Sequence, residues 1–399
     1  MAFDFTLSDE LLAVQDAMDG CLERFKGREK ELHKMVLKDH VFPQELWDAV
    51  AETGLLGCVI PEEYGGTNMG LSAAAVGIEA LAKRGYGNAL LILTIMDAAC
   101  IARNGSEEMK QRYLPGIATG ELKFCFAITE PNAGSNTFRL ETLAERDGDH
   151  YIVNGQKTFI TGIDVADKMV MICRTTSRKK VDEMGLPKGF GLAVFAMDTK
   201  LPGITLNAIP THGIEGLTQY EVFFDNVRVP VADLVGEPDM GGMVMFNSLN
   251  PERILAAAAA CGMSQRCITK AVDYANERKV FKGKPIGTYQ GISHPLAKCK
   301  INLEASKLLM YKAAWMYDQP DSHPGLVGSA ANHAKYFAAE TAIETVDRAI
   351  QTHGGYGFSE EYGIIYYHAA ARLMRTAPVT AEQILNFVAE HDLGLPRSY

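Results

Sequence analysis

The apolar residues of this 399-residue chain change their spacing twice, and this limits the folds that the chain can adopt. In "LSDELLAVQDAMDGCLERF", residues 7–25, they recur every three or four positions after a Ser8 cap, which predicts a helix. From about residue 121, β-rich runs follow one another, and "HYIVNGQKTFIT", residues 150–161, predicts a hairpin around an Asn-Gly turn. Helical spacing returns at residue 241. We therefore expect an α+β fold that is mostly α, with a helical N-terminal domain (1–120), a central β-domain (121–240) and a C-terminal helical bundle (241–399).

Charge and cysteine content exclude several classes of protein. The 39 basic and 49 acidic residues give a net charge of −10, which argues against a general binder of nucleic acid or of anionic membranes. The eight cysteines form no CxxC pair, so we expect neither a metal site nor a disulfide framework. The acidic start lacks the layout of a signal peptide, and the most apolar segment is too short to span a bilayer. These features predict a cytoplasmic protein.

That apolar segment, "NALLILTIMDAACIARNG" (residues 88–105), contains one carboxylate, Asp97. The positions at helical spacing offer it no cation, since they are Leu93, Thr94, Cys100 and Ile101. A buried carboxylate without a partner costs several kcal/mol or becomes neutral. Asp97 therefore either has a chemical role or points away and pairs with a basic group such as Arg84 or Arg103.

Four further segments each have a structural and a functional interpretation. "FAITEPNAGSN" (126–136) is a tight loop after a strand, in which small residues let backbone N–H groups approach a ligand. "NERKVFKGKPIGTYQ" (276–290) places four cations at a helix end, either for the helix dipole or for a diphosphate. "QTHGGYGF" (351–358) is glycine-dense between helices. In "SLNPERILAAAAA" (248–260) we expect Asn250 to cap a helix and Pro251 to open it, with Glu252 and Arg253 in the first turn.

Taken together, these segments resemble the acyl-CoA dehydrogenase family along nearly the whole chain. The matching motifs are "PEEYGG", "ITEPNAGS", "NGQKTFIT", "NPER", "NERKVF" and "GGYGF", in the family's order and approximate spacing. The resemblance implies a C-terminal four-helix bundle, a homotetramer and FAD at the subunit contacts. It also implies an acyl-CoA substrate and an electron-transferring flavoprotein as the partner.

The same resemblance assigns roles to individual residues. Those expected to line the flavin and the thioester are Phe126, Ile128, Thr129 and Ser135, and those expected to cover the flavin ring are Phe159, Ile160 and Thr161. Arg278 and Phe281 would contact FAD, with Gln290 nearby. Residues expected to meet the FAD of a neighbouring subunit are Gln351, Gly354 and Gly355. Asn250 and Arg253 would hold the CoA portion.

The catalytic base is expected at Glu252. Many relatives carry the base in a Tyr-Glu-Gly-Thr turn, but the aligned position here falls near Ala377–Pro378. Glu382 comes about four residues too late and is expected in the first turn of the last helix. Isovaleryl-type relatives place the base before the Arg of the "NPER" segment, where this chain has Glu252.

In the expected reaction, a short, branched or alicyclic acyl-CoA loses an α-proton to Glu252 and a β-hydride to the flavin. A carboxylate at Asp97 would be desolvated against a straight alkyl chain, which is unfavourable. It fits better the reaction of relatives that oxidise cyclohexene-carboxyl-CoA by a 1,4-elimination, in which a second acid/base group takes part. An oxidase or a reductase remains open within the enzyme class. The same scaffold also serves as a DNA-associated flavoprotein, against which the net charge of −10 argues.

Overall fold

A computed structural model of the chain describes residues 6–214 and 216–397. Its α-helices are α1 (Asp9–Glu23), α2 (Glu29–Leu37), α3 (Gln44–Ala51), α4 (Gly70–Arg84), α5 (Ala89–Asn104), α6 (Glu107–Ala118), α7 (Arg178–Glu183), α8 (Gly241–Glu277), α9 (Gln290–Asp318), α10 (Pro324–His353), α11 (Tyr366–Leu373) and α12 (Ala381–Phe387). Its strands are β1 (Phe124–Ala127), β2 (Leu143–Asp147), β3 (His150–Thr161), β4 (Lys168–Arg174), β5 (Leu192–Asp198), β6 (Ile204–Ile209), β7 (Gln219–Pro230), β8 (Lys279–Val280) and β9 (Lys284–Pro285).

The chain divides into two compact units. The helical unit contains the described residues of Met1–Lys26, Leu71–Gly87 and Arg253–Tyr399, and the sheet unit contains Gly27–Gly70 and Asn88–Glu252. The mostly helical α+β fold class is confirmed, with a central mixed sheet and helices toward the C-terminus. The three-domain division by residue number stays a prediction.

Close packing of small residues shapes the helical unit. The alanine-rich centre of α8 predicts close helix contact, and Gly262 there approaches α4 so tightly that an added Cβ would lie 2.3 Å from the Glu79 carbonyl oxygen. Glu79 is buried, and its carboxylate pairs with Lys307 of α9 at 2.8 Å. Asp318 at the end of α9 accepts the backbone N–H groups of Leu71 and Ser72, at 2.6 and 2.9 Å. Because these N–H groups open α4, the carboxylate caps that helix.

A seven-stranded sheet organises the sheet unit, in the order β1-β4-β2-β3-β7-β6 with β5 paired to β4. The pairs β1–β4 and β2–β4 are parallel, and the remaining pairs are antiparallel. The predicted hairpin at residues 150–161 is wrong. Those residues form one strand, β3, and Gly155 lies at a register shift against β7 rather than in a turn. The Asn-Gly pair therefore produces a β-bulge inside a long strand.

The helix that carries the "NPER" segment also begins earlier than predicted. We expected Asn250 to cap it, but α8 starts at Gly241 and Pro251 lies inside it. Proline has no N–H, so position 251 cannot donate to the Asn247 carbonyl as the other residues of a helix would. Glu252 is consequently not in the first turn, so its charge cannot be explained as compensation of the helix dipole.

None of the helices within residues 6–214 and 216–397 combines sufficient length and apolar character to cross a membrane.

Close approach at Gly262 leads to a stability prediction with a matched control. Gly262→Ala is expected to lower the free energy of unfolding by about 1–3 kcal/mol, because the new methyl group meets backbone atoms of α4. Gly20→Ala in α1 is the control, since a Cβ there meets nothing within 4 Å. It is expected to gain about 0.5–1 kcal/mol from helix propensity. Urea unfolding of both variants measures the difference, and equal effects would contradict the close contact.

Candidate active site

Asp97 lies in the middle of α5 and has no exposed surface. Neither of its carboxylate oxygens has a hydrogen-bond partner among the described residues, so the structure does not support the alternative that Asp97 pairs with Arg84 or Arg103. Burial raises the pKa of Asp97 well above its ordinary value, and the charge of Glu252 raises it further. The sheet unit therefore holds two interacting carboxyl groups, and burial favours the neutral form of Asp97.

Helices α5 and α8 meet at three levels near this pair. Glu252 is partly buried, and one helical turn before it Ser248 is fully buried, where its side chain interacts with the Cys100 thiol of α5. Cys100 lies one turn after Asp97, and its thiol contacts the Val244 carbonyl at 3.9 Å. At the C-terminal end of α5, the Asn247 amide donates to the Asn104 side-chain oxygen at 3.1 Å.

Sequence reasoning missed Ser248 and Cys100 as neighbours of the two carboxyl groups. The signal was available for Ser248, which lies four residues before Glu252 and so on the same face of a continuous helix. The predicted helix starts at Asn250 and so excludes Ser248 from that face.

Segments expected to contact the flavin come together at one place in the sheet unit. The Thr158 N–H donates to the Thr129 carbonyl at 2.9 Å, which joins the residues after β1 to β3. The register of β3 shifts between Lys157 and Ile160, and Phe159 has a φ of 58° there. The bulge leaves the Phe159 ring 54% exposed. Of the other predicted residues here, the buried ones are Phe126 and Ile160, the partly buried ones are Ile128, Thr129 and Thr161, and Ser135 is exposed in the loop after β1. Asn250, expected to hold CoA, is partly buried in α8.

The remaining predicted contacts lie in the helical unit. The short pair β8–β9 forms a tight hairpin whose turn holds Phe281 at φ 29° with its ring 81% exposed. Arg278 precedes this hairpin and Gln290 begins α9, and both are exposed. At the other predicted contact, Gln351 is exposed near the end of α10, and Gly354 adopts φ 59° at the start of a 3₁₀ turn that includes Gly355.

Arg253 is buried in the helical unit, where its guanidinium donates to the Asn332 side-chain oxygen, and its expected contact with CoA stays a prediction. Glu382 lies in the first turn of α12, as predicted, where its charge is favourable to the helix dipole.

Comparison with known proteins identifies the family. The family models for the N-terminal, middle and C-terminal domains of acyl-CoA dehydrogenases match residues 8–121, 125–227 and 239–392. Acyl-CoA dehydrogenase FadE12 of Mycobacterium tuberculosis is 41% identical over 398 residues, covering 99% of both chains. A cyclohex-1-ene-1-carbonyl-CoA dehydrogenase of Geobacter metallireducens is 35% identical over 85% of this chain and 86% of that protein. The solved FAD complex of PigA is 26% identical, with a TM-score of 0.89 over 98% of this chain and all of that one.

The chain therefore belongs to the acyl-CoA dehydrogenase family. It is an oxidoreductase that acts on CH–CH bonds and uses FAD. The exposed residues fit that cofactor within each unit separately. Phe159 in the sheet unit and Phe281 in the helical unit present apolar rings to solvent from strained backbone positions, which is costly unless a flat group covers them.

Burial of Asp97 predicts an unusual dependence of stability on pH. Its raised pKa means that the folded chain keeps a proton that the unfolded chain loses above about pH 4, so stability falls as the pH rises. Asp97→Asn carries no such proton. Its thermal midpoint is expected to match that of wild type near pH 4 and to exceed it by at least about 2–4 °C at pH 8, which corresponds to roughly 1 kcal/mol.

Asp198→Asn is the control for this measurement, because its effect has the opposite sign. Burial acts to raise the pKa of Asp198, but the hydrogen bond from Lys168 at 2.7 Å lowers it overall. Neutralising Asp198 should therefore cost stability at pH 8, and the cost should vanish as the pH falls. Loss of stability in Asp97→Asn at pH 8 would show that Asp97 is paired and not isolated.

Proposed function

We propose that this enzyme is an acyl-CoA dehydrogenase for short, branched or alicyclic thioesters, with Glu252 as the base and an electron-transferring flavoprotein as the acceptor. The observation that carries the proposal is the pair of interacting carboxyl groups, Glu252 and the buried Asp97, in a chain of this family. Bound FAD supplies the acceptor for the β-hydride. The chain's own part is to remove the α-proton, so that a carbon–carbon double bond forms as both hydrogens leave.

Glu252 suits the role of base because of its environment. Its side chain is partly buried, so it keeps access to a ligand while it is partly desolvated. It precedes Arg253, whose buried guanidinium bonds Asn332 and so anchors the helix one residue further on. Anchoring of this kind holds a catalytic side chain within the narrow range of positions that proton transfer requires.

Asp97 supports a second candidate reaction, a 1,4-dehydrogenation of a cyclohexene-carboxyl-CoA thioester. In that reaction one proton leaves a carbon remote from the thioester, the hydride would go to bound FAD, and Asp97 in its ionised form would accept the proton. A buried carboxyl group without a protein partner is costly, and a straight alkyl chain would not relieve the cost. The similarity to a cyclohex-1-ene-1-carbonyl-CoA dehydrogenase supports the same choice.

We further propose that the enzyme is a homotetramer and that α9 contributes to a subunit contact. Ile301, Leu308 and Trp315 follow one another at seven-residue intervals, so they share one face of α9. Their exposed fractions are 70%, 52% and 59%, which leaves a long apolar stripe open to solvent in a single chain. A second copy of the chain would bury this stripe.

The proposed reaction is tested by anaerobic bleaching of the bound flavin with butyryl-, isobutyryl-, isovaleryl-, octanoyl-, cyclohexanecarboxyl- and cyclohex-1-enecarboxyl-CoA. Glu252→Gln is expected to retain FAD and to slow bleaching by about 10²–10⁴-fold with every thioester that is oxidised at its α and β carbons. Asp97→Asn is expected to slow bleaching only with the cyclohexene thioester.

Glu382→Gln is the control for these variants, since Glu382 is an exposed residue of the first turn of α12. It should bleach at the wild-type rate. Full activity of Glu252→Gln would exclude Glu252 as the base. Equal losses with all thioesters in Asp97→Asn would limit Asp97 to a structural role.

Assembly is tested by a charge in the apolar stripe of α9. Leu308→Glu is expected to shift the sedimentation velocity profile from tetramer to smaller species, because a carboxylate would have to be desolvated at the contact. Met184→Glu is the control, since Met184 is 59% exposed in the loop after α7 and belongs to the sheet unit. An unchanged profile for Leu308→Glu would remove α9 from the interface.

A further inference from the structure

A buried carboxylate closes the loop that follows β1. Glu130 is only 6% exposed, and its two oxygens accept the backbone N–H groups of Glu141 and Thr142 at 2.7 and 3.0 Å. Its own backbone exchanges two hydrogen bonds with Ala133. The loop of residues 131–140 includes the predicted thioester contact Ser135. Glu130 therefore links the start of this loop to its end.

A buried cation completes the returning end of the same loop. Arg174 of β4 is 1% exposed, and its guanidinium donates to the carbonyls of Phe138 and Leu140, both at 2.7 Å, and to that of Phe190 at 3.1 Å. Thus Arg174 satisfies carbonyl groups just before position 141, while Glu130 satisfies N–H groups at and just after it. The loop is held by two opposite charges that act on opposite sides of its backbone.

Lys157 connects this closure to the proposed flavin contacts. Its side chain is fully buried, and its ammonium donates to the Glu130 carboxylate at 2.8 Å and to the Ile128 carbonyl at 3.0 Å. The next residue, Thr158, donates its N–H to the Thr129 carbonyl at 2.9 Å, and the bulge that exposes Phe159 follows directly.

We propose that Lys157 is a positioning residue for FAD. Its ammonium group binds the Ile128 carbonyl directly and holds the Ser135 loop through Glu130. In this way Ile128, Thr129 and the Phe159 bulge are kept in one arrangement. The inference rests on the proposed flavin contacts of these segments. Lys157 has no contact with the flavin in this scheme, and it acts through the backbone of its neighbours. A lysine here is costly to bury unless it is fully paired, so a purely apolar residue would suit the strand better if only stability mattered.

The test measures FAD binding by the apoprotein of Lys157→Met, which has similar length and no charge. The dissociation constant for FAD is expected to rise at least tenfold, and the visible circular dichroism of bound flavin is expected to change as its surroundings lose their fixed geometry. Lys168→Met is the matched control, since Lys168 forms a partly exposed ion pair with Asp198 in the same sheet. It should bind FAD within twofold of wild type.

The outcomes separate this inference from the proposed contacts. Phe159→Ala should also weaken FAD binding; if it does and Lys157→Met binds like wild type with an unchanged spectrum, Lys157 has only a structural role and the inference is wrong. If Phe159→Ala has no effect, the proposed contact itself is wrong. If Lys157→Met does not fold, Glu130→Gln takes its place, since it keeps the volume and removes the charge. Wild-type FAD binding in Glu130→Gln would overturn the inference equally.

Discussion

The sheet unit depends on a buried ion pair between Lys157 and Glu130. Two charges removed from water are destabilising unless hydrogen bonds satisfy all of their polar atoms. Burial acts to raise the pKa of Glu130, but Lys157 and the backbone donors at Thr142 and Glu141 lower it overall, so the carboxylate stays ionised. The Lys157 ammonium also donates to the Ile128 carbonyl, in a segment that we propose to contact the cofactor. The ion pair therefore fixes the residues after β1 against strand β3.

Asp97 is also a buried carboxyl group of the sheet unit, but it lacks the hydrogen bonds that Glu130 has. No hydrogen bond within the described residues satisfies its oxygens, and burial and Glu252 both raise its pKa. An aliphatic residue would pack in α5 without this penalty. The contrast with Glu130 indicates that the fold has ways to satisfy a buried carboxylate and does not use them at position 97. A carboxyl group without protein partners and with a raised pKa is the kind of group that the proposed second acid/base role requires.

Sequence reasoning predicted the fold class because it rests on hydrophobic spacing, which tertiary packing seldom reverses. It failed where a local signal has two structural meanings. The Asn-Gly pair at 154–155 fits a tight turn or a bulge, and only pairing with β7 selects the bulge. Pro251 fits the first turn of a helix or a break inside one, and α8 contains it inside. Lys157 was overlooked because its partner Glu130 lies 27 residues away, beyond any periodic pattern.

The two reactions that we propose require different protonation of Asp97 and Glu252. When the pair holds one proton, a neutral Asp97 leaves Glu252 ionised and able to remove the α-proton. The reverse arrangement leaves Asp97 ionised and able to accept a remote proton. Both arrangements carry the same number of protons, so pH changes their sum and not their ratio. The choice between α,β-oxidation and the 1,4-reaction must then come from the substrate, through the carbon that it places nearest to each carboxyl group.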